Sequence, residues 1–422
     1  MTNSLNYYED TAHKRLEFPV LKTLVSVDVC VIGAGFTGLG TALELADRGL
    51  SVAVLEAKTV GYGASGRNGG QIASGYAPGM METEQIVGLD DARKLWDFSE
   101  QAKEILFGRI AKYNIDCDLR SGELYAAPKK SHLRWLEAEK AFCEDRYGYE
   151  SYRWVNQEKM RVLLAGERYV GGLLDKEGGH LHPLNYVLGL AKAAKKAGVQ
   201  IFENSAALSI DEKPKVLVST ENGSVSAGAL VLAGNAYLDT LEVGSHNKIL
   251  PVKSSILATG PLGEERAKFI MATEACVADT YFDLDYFKMT PDTRLIYGGQ
   301  DISFGSSGLQ NNSIRRNMLK TFPMLADVKV QYLWSGLLAA TRQRLPDVGR
   351  KTNNIYYAHG YSGQGVPLSA IISRILAEAI CGEMAGIDIF GRIPHKIIPK
   401  SKALQIPLFY LTLLWQKIKD RL

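Results

Sequence analysis

The segment VDVCVIGAGFTGLGTALELADRGLSVAVLE, residues 27–56, leaves the chain few folds to choose from. An apolar run suited to a buried strand, expected to begin near Val27, meets a glycine turn, an amphipathic helix and a second apolar run ending in an acid. That order is a βαβ unit, which commits the chain to parallel strands joined by a helical crossover. Gly33 permits the tight turn, Gly35 lets the backbone approach a pyrophosphate, and Gly38 lets the helix sit close to the sheet. The helix N-terminus, around Ala34, Phe36 and Thr37, offers free N–H groups and the positive end of a dipole. Glu56 falls 18 residues after Gly38, where a carboxylate accepts hydrogen bonds from ribose hydroxyls. The unit marks a dinucleotide site without separating NAD from FAD.

The stretch after the acid bears on that choice. AKTVGYGASGRNGGQIASGY is a glycine-rich loop instead of the third strand of a mononucleotide repeat. Such a loop can lie along a large cofactor, with Ala57, Lys58, Ala64 and Ile72 along its length. Ser65, Asn68 and the backbone of Gly69, Gly70 and Gln71 can donate to a pyrophosphate or a flavin ring. Far downstream, NIYYAHGYSGQGVPLSAIISRILAEAI repeats strand, glycine turn and helix. Its turn, Gly360, Tyr361, Ser362, Gly363, Gln364, Gly365 and Val366, supplies a second helix N-terminus to the same cofactor, a feature out of place in a simple dehydrogenase. Gly234 and Asn235, after the apolar run ALVLA, and Ala207 are also assigned to the cofactor.

At 422 residues with 46% hydrophobic side chains, the chain has the length and composition for two cored domains. Lysine and arginine total 49 against 46 acids, a net charge of +3, so no electrostatic footprint for nucleic acid is expected. The five cysteines, Cys30, Cys117, Cys143, Cys276 and Cys381, are scattered and odd in number, which argues against a disulfide framework and fits a cytoplasmic setting. His180 and His182 lack an acidic or cysteine partner at metal-binding spacing, so no metal is expected. The N-terminus lacks the basic start and apolar run of a signal peptide. The stretch from 396 to 422 reads as an amphipathic tail, with Leu408, Leu411, Trp415, Ile418 and Leu422 on one stripe. That stripe docks either on the protein's own surface or, peripherally, on the inner face of a membrane.

The chain resembles the FAD-dependent amine and amino-acid oxidoreductases of the D-amino-acid oxidase superfamily. The resemblance rests on DVCVIGAGFTGLGTALELA, GYGASGRNGGQ, GGHLHPLNYVLGLAKAA, VLAGNAYL, DYFKMTPDTRLIYGG, LAATRQRLPDVG and HGYSGQGV, found in the expected order over nearly the whole chain. It implies an α/β plus α+β architecture. A Rossmann-like FAD-binding domain (1–85, 182–245, 336–395) is interleaved with a substrate domain (86–181, 246–335) built on a mixed or antiparallel sheet. ASGRNGG favours the putrescine-pathway branch over the D-amino-acid and sarcosine branches. The implied reaction is oxidation of the primary amine of gamma-glutamylputrescine, or a related amine, to aldehyde and ammonia. Oxygen or another acceptor reoxidises the flavin.

No catalytic side chain is assigned with certainty, since the flavin supplies the difficult step. Substrate contacts are expected from Tyr286 and Lys288, which share a strand face, and from Arg342, His359 and Tyr361. Relatives that attach flavin covalently use a cysteine before a threonine–proline turn. The matching GLLAATRQRLP has none, and Cys381 is expected to be a buried apolar thiol, so the FAD is expected to be dissociable. Two alternatives stay open: oxidation of a D-amino acid, glycine or sarcosine, and an FAD-binding assembly role without turnover.

Overall fold

The computed structural model describes residues 6–212, 215–238, 241, 247–300 and 307–398, with the side chains of 300 and 307–312 left aside. The expected tail beyond residue 398 lies outside the described residues.

Strands rich in Val, Ile and Leu assemble the first sheet. Its central strand is Leu24–Ile32, with Val52–Leu55 and then Gln200–Phe202 on one side and Ser224–Leu232 on the other. Ile355–His359 follows in parallel, and antiparallel Asp347–Thr352 closes that edge. Val29, Val31, Val52 and Val54 are all buried, as parallel strands covered on both faces require. The central strand starts three residues before the expected Val27, because Leu24–Ser26 pair in register with Ser224–Ser226 although Leu24 and Ser26 are exposed. An apolar-run criterion misses pairing of that kind.

Helices Phe36–Asp47, Pro183–Lys196 and Gly365–Ile380 join or follow these strands, and the last packs on the first. Leu24–Ile32 has the next strand of the chain on one side and a strand from far downstream on the other, both parallel to it. This creates a crevice at the strands' carboxyl ends, where ligands of such sheets bind.

The second sheet is mixed and has nine strands among the described residues. Its order is Val330–Thr341, Ile249–Thr259, Leu295–Gln300, Asp285–Met289, Cys276–Asp279, Arg120–Ala127, Gly171–His180 and Gln71–Ile72, with Tyr152–Val155 on the side. All pairs are antiparallel except Cys276–Asp279 with Arg120–Ala127. Alternation splits its faces. Leu124, Val277, Phe287 and Tyr297 pack in an apolar cluster with Ile314 and Met318, while Glu123, Tyr125, Ala278 and Tyr286 face the crevice. Residue 336, expected to open a piece of the first domain, lies inside Val330–Thr341, and Gln71–Ile72 pairs with Gly179 and His180 of the second sheet.

The helix Tyr7–Thr11 is too short for its periodicity to announce it in the sequence. Asn6 caps it, accepting from the Tyr8 N–H at 3.1 Å, and Tyr8 is wholly buried against His182 and Trp334. Cys381 is a correction: it sits at the C-cap of Gly365–Ile380 and is exposed, because the helix ends before it can turn inward. All five cysteines are free thiols, and no single helix among the described residues is long and apolar enough to cross a membrane.

His180 and His182 are buried neutral ring donors or acceptors. His180 Nε2 bonds the Glu274 carbonyl at 2.9 Å, and His182 Nδ1 accepts from the Asn185 N–H at 3.1 Å. Burial, then the Lys288 charge, holds both imidazoles down to about 3. A histidine depressed in the native state binds its proton in the unfolded chain first, so its stabilising contribution is lost as pH falls below about 6.5. Asparagine can keep the cap at 182 without that proton. The difference in Tm between His182→Asn and wild type is therefore expected to move in the variant's favour from pH 7 to pH 4; a constant difference would contradict this account.

Candidate active site

The crevice of the first sheet and the inner face of the second enclose one cavity of ≈ 1020 Å³, at the upper end of the roughly 300–1,000 Å³ typical of small-molecule sites. At its base lies the glycine turn. Gly33 has φ +106°, and a Cβ on Gly38 would stand 1.9 Å from the Gly33 carbonyl oxygen, so turn and helix are locked together. Both carboxylate oxygens of Glu56 are engaged by the backbone, Oε2 by the Ala34 N–H and Oε1 by the Lys58 N–H, each at 2.9 Å. Burial raises this carboxyl, and lone pairs are left for further donors. Ser65 Oγ accepts from the Phe36 N–H at 3.0 Å and fills the space a Cβ on Gly35 would take, which holds the glycine-rich loop over the helix N-terminus.

The second glycine turn is tied to the same point. Asn235 Oδ1 accepts from the Gly360 N–H at 3.1 Å, and the Thr37 and Tyr361 hydroxyls meet at 2.7 Å. Gly33, Ala34, Gly35, Phe36, Thr37, Glu56, Ala57 and Lys58 line the cavity, as do Ala64, Ser65, Asn68, Gly69, Gly70 and Gln71. So do Ala207, Gly234, Asn235, Tyr361, Ser362, Gly363, Gln364, Gly365 and Val366. Gly38 and Gly360 stand just behind this wall, and Ile72 is fully buried in the second sheet. The fit to a flavin dinucleotide is good: two helix N-termini and a side-chain-poor loop bound a space that runs on to the second sheet.

On that sheet Tyr286 lines the cavity. Its ring occupies the room that side chains on Gly69 and Gly298 would need, and its hydroxyl meets Ser254 Oγ at 3.2 Å. Lys288 does not line it. Although it shares the face of Tyr286, its Nζ passes behind Gly70 to donate to the Leu181 carbonyl at 2.7 Å, 5.6 Å from the Tyr8 ring centre. Burial there pulls the ammonium down to about 8.

Arg342 is likewise corrected, since it is exposed. The strand Val330–Thr341 ends one residue earlier, and a left-handed bend at Arg344, φ +58°, sends that arginine into the cavity instead. The Arg344 guanidinium donates to the Ala77 carbonyl, lies 5.6 Å from the Phe282 ring centre and forms no ion pair among the described residues. His359 is also outside the cavity. It is fully buried behind the turn, with Nε2 2.9 Å from Asp347 Oδ2.

Sequence reasoning missed Glu123, Tyr125, Phe282 and Arg344, all of which line the cavity. For the first two the signal was present: GELYAA is a strand, so an acid and a tyrosine two apart share a face.

The dinucleotide turn and the inner sheet face over it bound a space for a large cofactor and a small molecule together. The family described as FAD dependent oxidoreductase, DAO, matches residues 28–379, and the chain belongs to it. It is 38% identical to gamma-glutamylputrescine oxidoreductase of Escherichia coli (strain K12) over 420 residues, 99% of this chain and 98% of that one. It is also 42% identical to a probable oxidoreductase, OrdL, of Haemophilus influenzae over 91% of this chain and 90% of the relative. Among solved structures, glycine oxidase from Geobacillus kaustophilus has the same fold, with a TM-score of 0.73 at 19% identity, covering 88% of this chain and 100% of that one.

Proposed function

We propose that the protein oxidises the primary amine of gamma-glutamylputrescine, or a closely related amine, to the aldehyde with release of ammonia. The 38% identity to the Escherichia coli enzyme over 99% of the chain carries this reading. When bound, FAD would supply the two-electron acceptor for the hydride equivalent at the carbon next to nitrogen, with oxygen or another acceptor as the final oxidant. In this reading the turn at Gly33–Thr37, Glu56, the loop from Ala64 to Gln71 and the turn at Tyr361–Val366 hold the dinucleotide.

Tyr286 and the second-sheet face cover the reacting centre and exclude water, while Arg344 receives the carboxylate of the glutamyl group. None of the five cysteines lines the cavity, which supports dissociable FAD. The resulting imine hydrolyses with water to aldehyde and ammonia, so the balance requires amine, water and a two-electron acceptor.

Arg344 also favours a second reading, since an unpaired guanidinium suits the carboxylate of an amino acid. Anaerobic mixing with gamma-glutamylputrescine, glycine, sarcosine and D-alanine in turn separates the two. Bleaching of the flavin band near ~450 nm by the first alone is expected, because the cofactor carries the redox step. Bleaching by an amino acid alone would replace the amine reading. A spectrum unmoved by all four would point to FAD binding without turnover.

A further inference from the structure

The cavity face of the second sheet carries a carboxyl with no cation of its own. Glu123, in Arg120–Ala127, is 3% exposed and lines the cavity. Its oxygens receive two long hydrogen bonds, from Gln71 Nε2 and the Tyr125 hydroxyl, each at 3.3 Å, and it forms no ion pair with any described residue.

Strand register sets Asp175 directly across from it on Gly171–His180, and like charges so placed repel. Asp175 is satisfied: Ser74 Oγ and the Tyr149 hydroxyl donate at 3.1 and 2.7 Å, and the Glu177 N–H at 3.1 Å. Lys103, whose charge reaches Glu123, is committed to Ser74 Oγ at 2.6 Å and Glu100 at 2.9 Å. On the other side the row continues through Cys276, a buried thiol, to Lys288, which the Leu181 carbonyl holds. Tyr152 closes the row beyond Asp175. Two buried acids thus face each other, and the one open to the cavity is short of a cation.

We propose that Glu123 holds the primary ammonium of the substrate and takes one of its protons, leaving the neutral amine whose lone pair hydride loss requires. The step breaks one N–H bond and forms one O–H bond, with no change of oxidation state. It rests on the amine-oxidase reading and sharpens it. The substrate class is a cationic amine whose reacting carbon bears no carboxylate, since a carboxylate there would meet Glu123, with the buried Asp175 charge behind it. Burial and the Asp175 charge push the Glu123 carboxyl up to about 8, a suitable match for an alkylammonium near about 10.

The test uses the FAD-loaded enzyme without oxygen. Its ligands are gamma-glutamylputrescine and the gamma-N-butyl amide of glutamate, which keeps the four-carbon chain but lacks the terminal amine. Wild type is expected to bind the butyl amide roughly 10- to 100-fold more weakly than the amine, the range of a charge-assisted hydrogen bond. Glu123→Gln is expected to erase most of that difference and to slow flavin reduction. Wild-type reduction at low amine is expected to accelerate as pH rises through about 8 and Glu123 ionises, a step absent from Glu123→Gln.

Equal wild-type affinity for the two ligands overturns the proposal and needs no variant. So does Glu123→Gln reduction at the wild-type rate and pH dependence. In both cases bleaching of wild type by the amine leaves the amine reading standing. Bleaching by an amino acid in place of every gamma-glutamylated amine overturns both.

Discussion

Gly38→Val is expected to yield protein that carries less than a tenth of the wild-type flavin, read as the ratio of ~450 nm to ~280 nm absorbance, because the cradle depends on close approach of turn and helix. A Cβ at this position would stand 1.9 Å from the Gly33 carbonyl oxygen and 3.1 Å from its carbonyl carbon. The obstacle is backbone, so no rotamer relieves it. The helix Phe36–Asp47 would have to move away from the turn, carrying with it the N–H groups of Phe36 and Thr37. It cannot move freely either, since Gly40 of the same helix is pressed against Ser373 on Gly365–Ile380. Wild-type flavin content in Gly38→Val would show that the turn does not bear on the cofactor.

The second large effect separates two arginines two residues apart. Arg344→Ala is expected to lower kcat/KM for a glutamylated amine by roughly 30-fold or more, the scale for deleting one partner of a desolvated charge pair. Arg342→Ala is expected to stay within about twofold, as exposed side chains usually do. Arg344 turns into the cavity beside Phe282 and forms no ion pair among the described residues, with only the more distant Glu82 charge reaching it, so its guanidinium is available to a ligand. Arg342 is exposed on the far side of the bend. The loss in Arg344→Ala should fall mainly in KM if the guanidinium holds a remote carboxylate. Equal behaviour of the two variants would remove Arg344 from substrate binding.

The contrast between those arginines marks where the sequence stops being informative. Period-two and period-3.6 patterns expose strands and helices, and the glycine spacing ties one strand–helix pair to a phosphate. That is why residues 27–56 and 354–380 could be read before any coordinates. A left-handed residue just past a strand end reverses the face on which side chains emerge, and nothing in ATRQRLP announces that Arg344 adopts it. Lys288 fails for a different reason. Alternation put it on the correct face beside Tyr286, but a four-carbon stem can run under a neighbouring loop, and Gly70 leaves room for it to do so.

His359 adjoins the glycine turn in sequence, and the strand it ends points its ring toward Asp347, away from the cavity. Glu123 was legible in principle, as an acid in an otherwise apolar strand. Its importance depends on Asp175, 52 residues later and across the ladder, which only register reveals.

The first sheet is threaded from distant parts of the chain. Leu24–Ile32 finds one neighbour in Val52–Leu55 and the other in Ser224–Leu232, and the turn that completes the cradle, Tyr361–Val366, comes some 333 residues after Gly33. At a ribosomal pace of about 5–20 residues per second, the nucleotide turn emerges roughly 17 to 67 seconds before its last partner. Until Ser224–Leu232 is made, the nascent chain presents one unpaired edge of the Val-rich strand Leu24–Ile32, an attractive template for other chains. A cradle with both glycine turns has to wait for Tyr361–Val366. Yield in a host cell will therefore depend as much on what shields the early strands as on how much riboflavin is supplied.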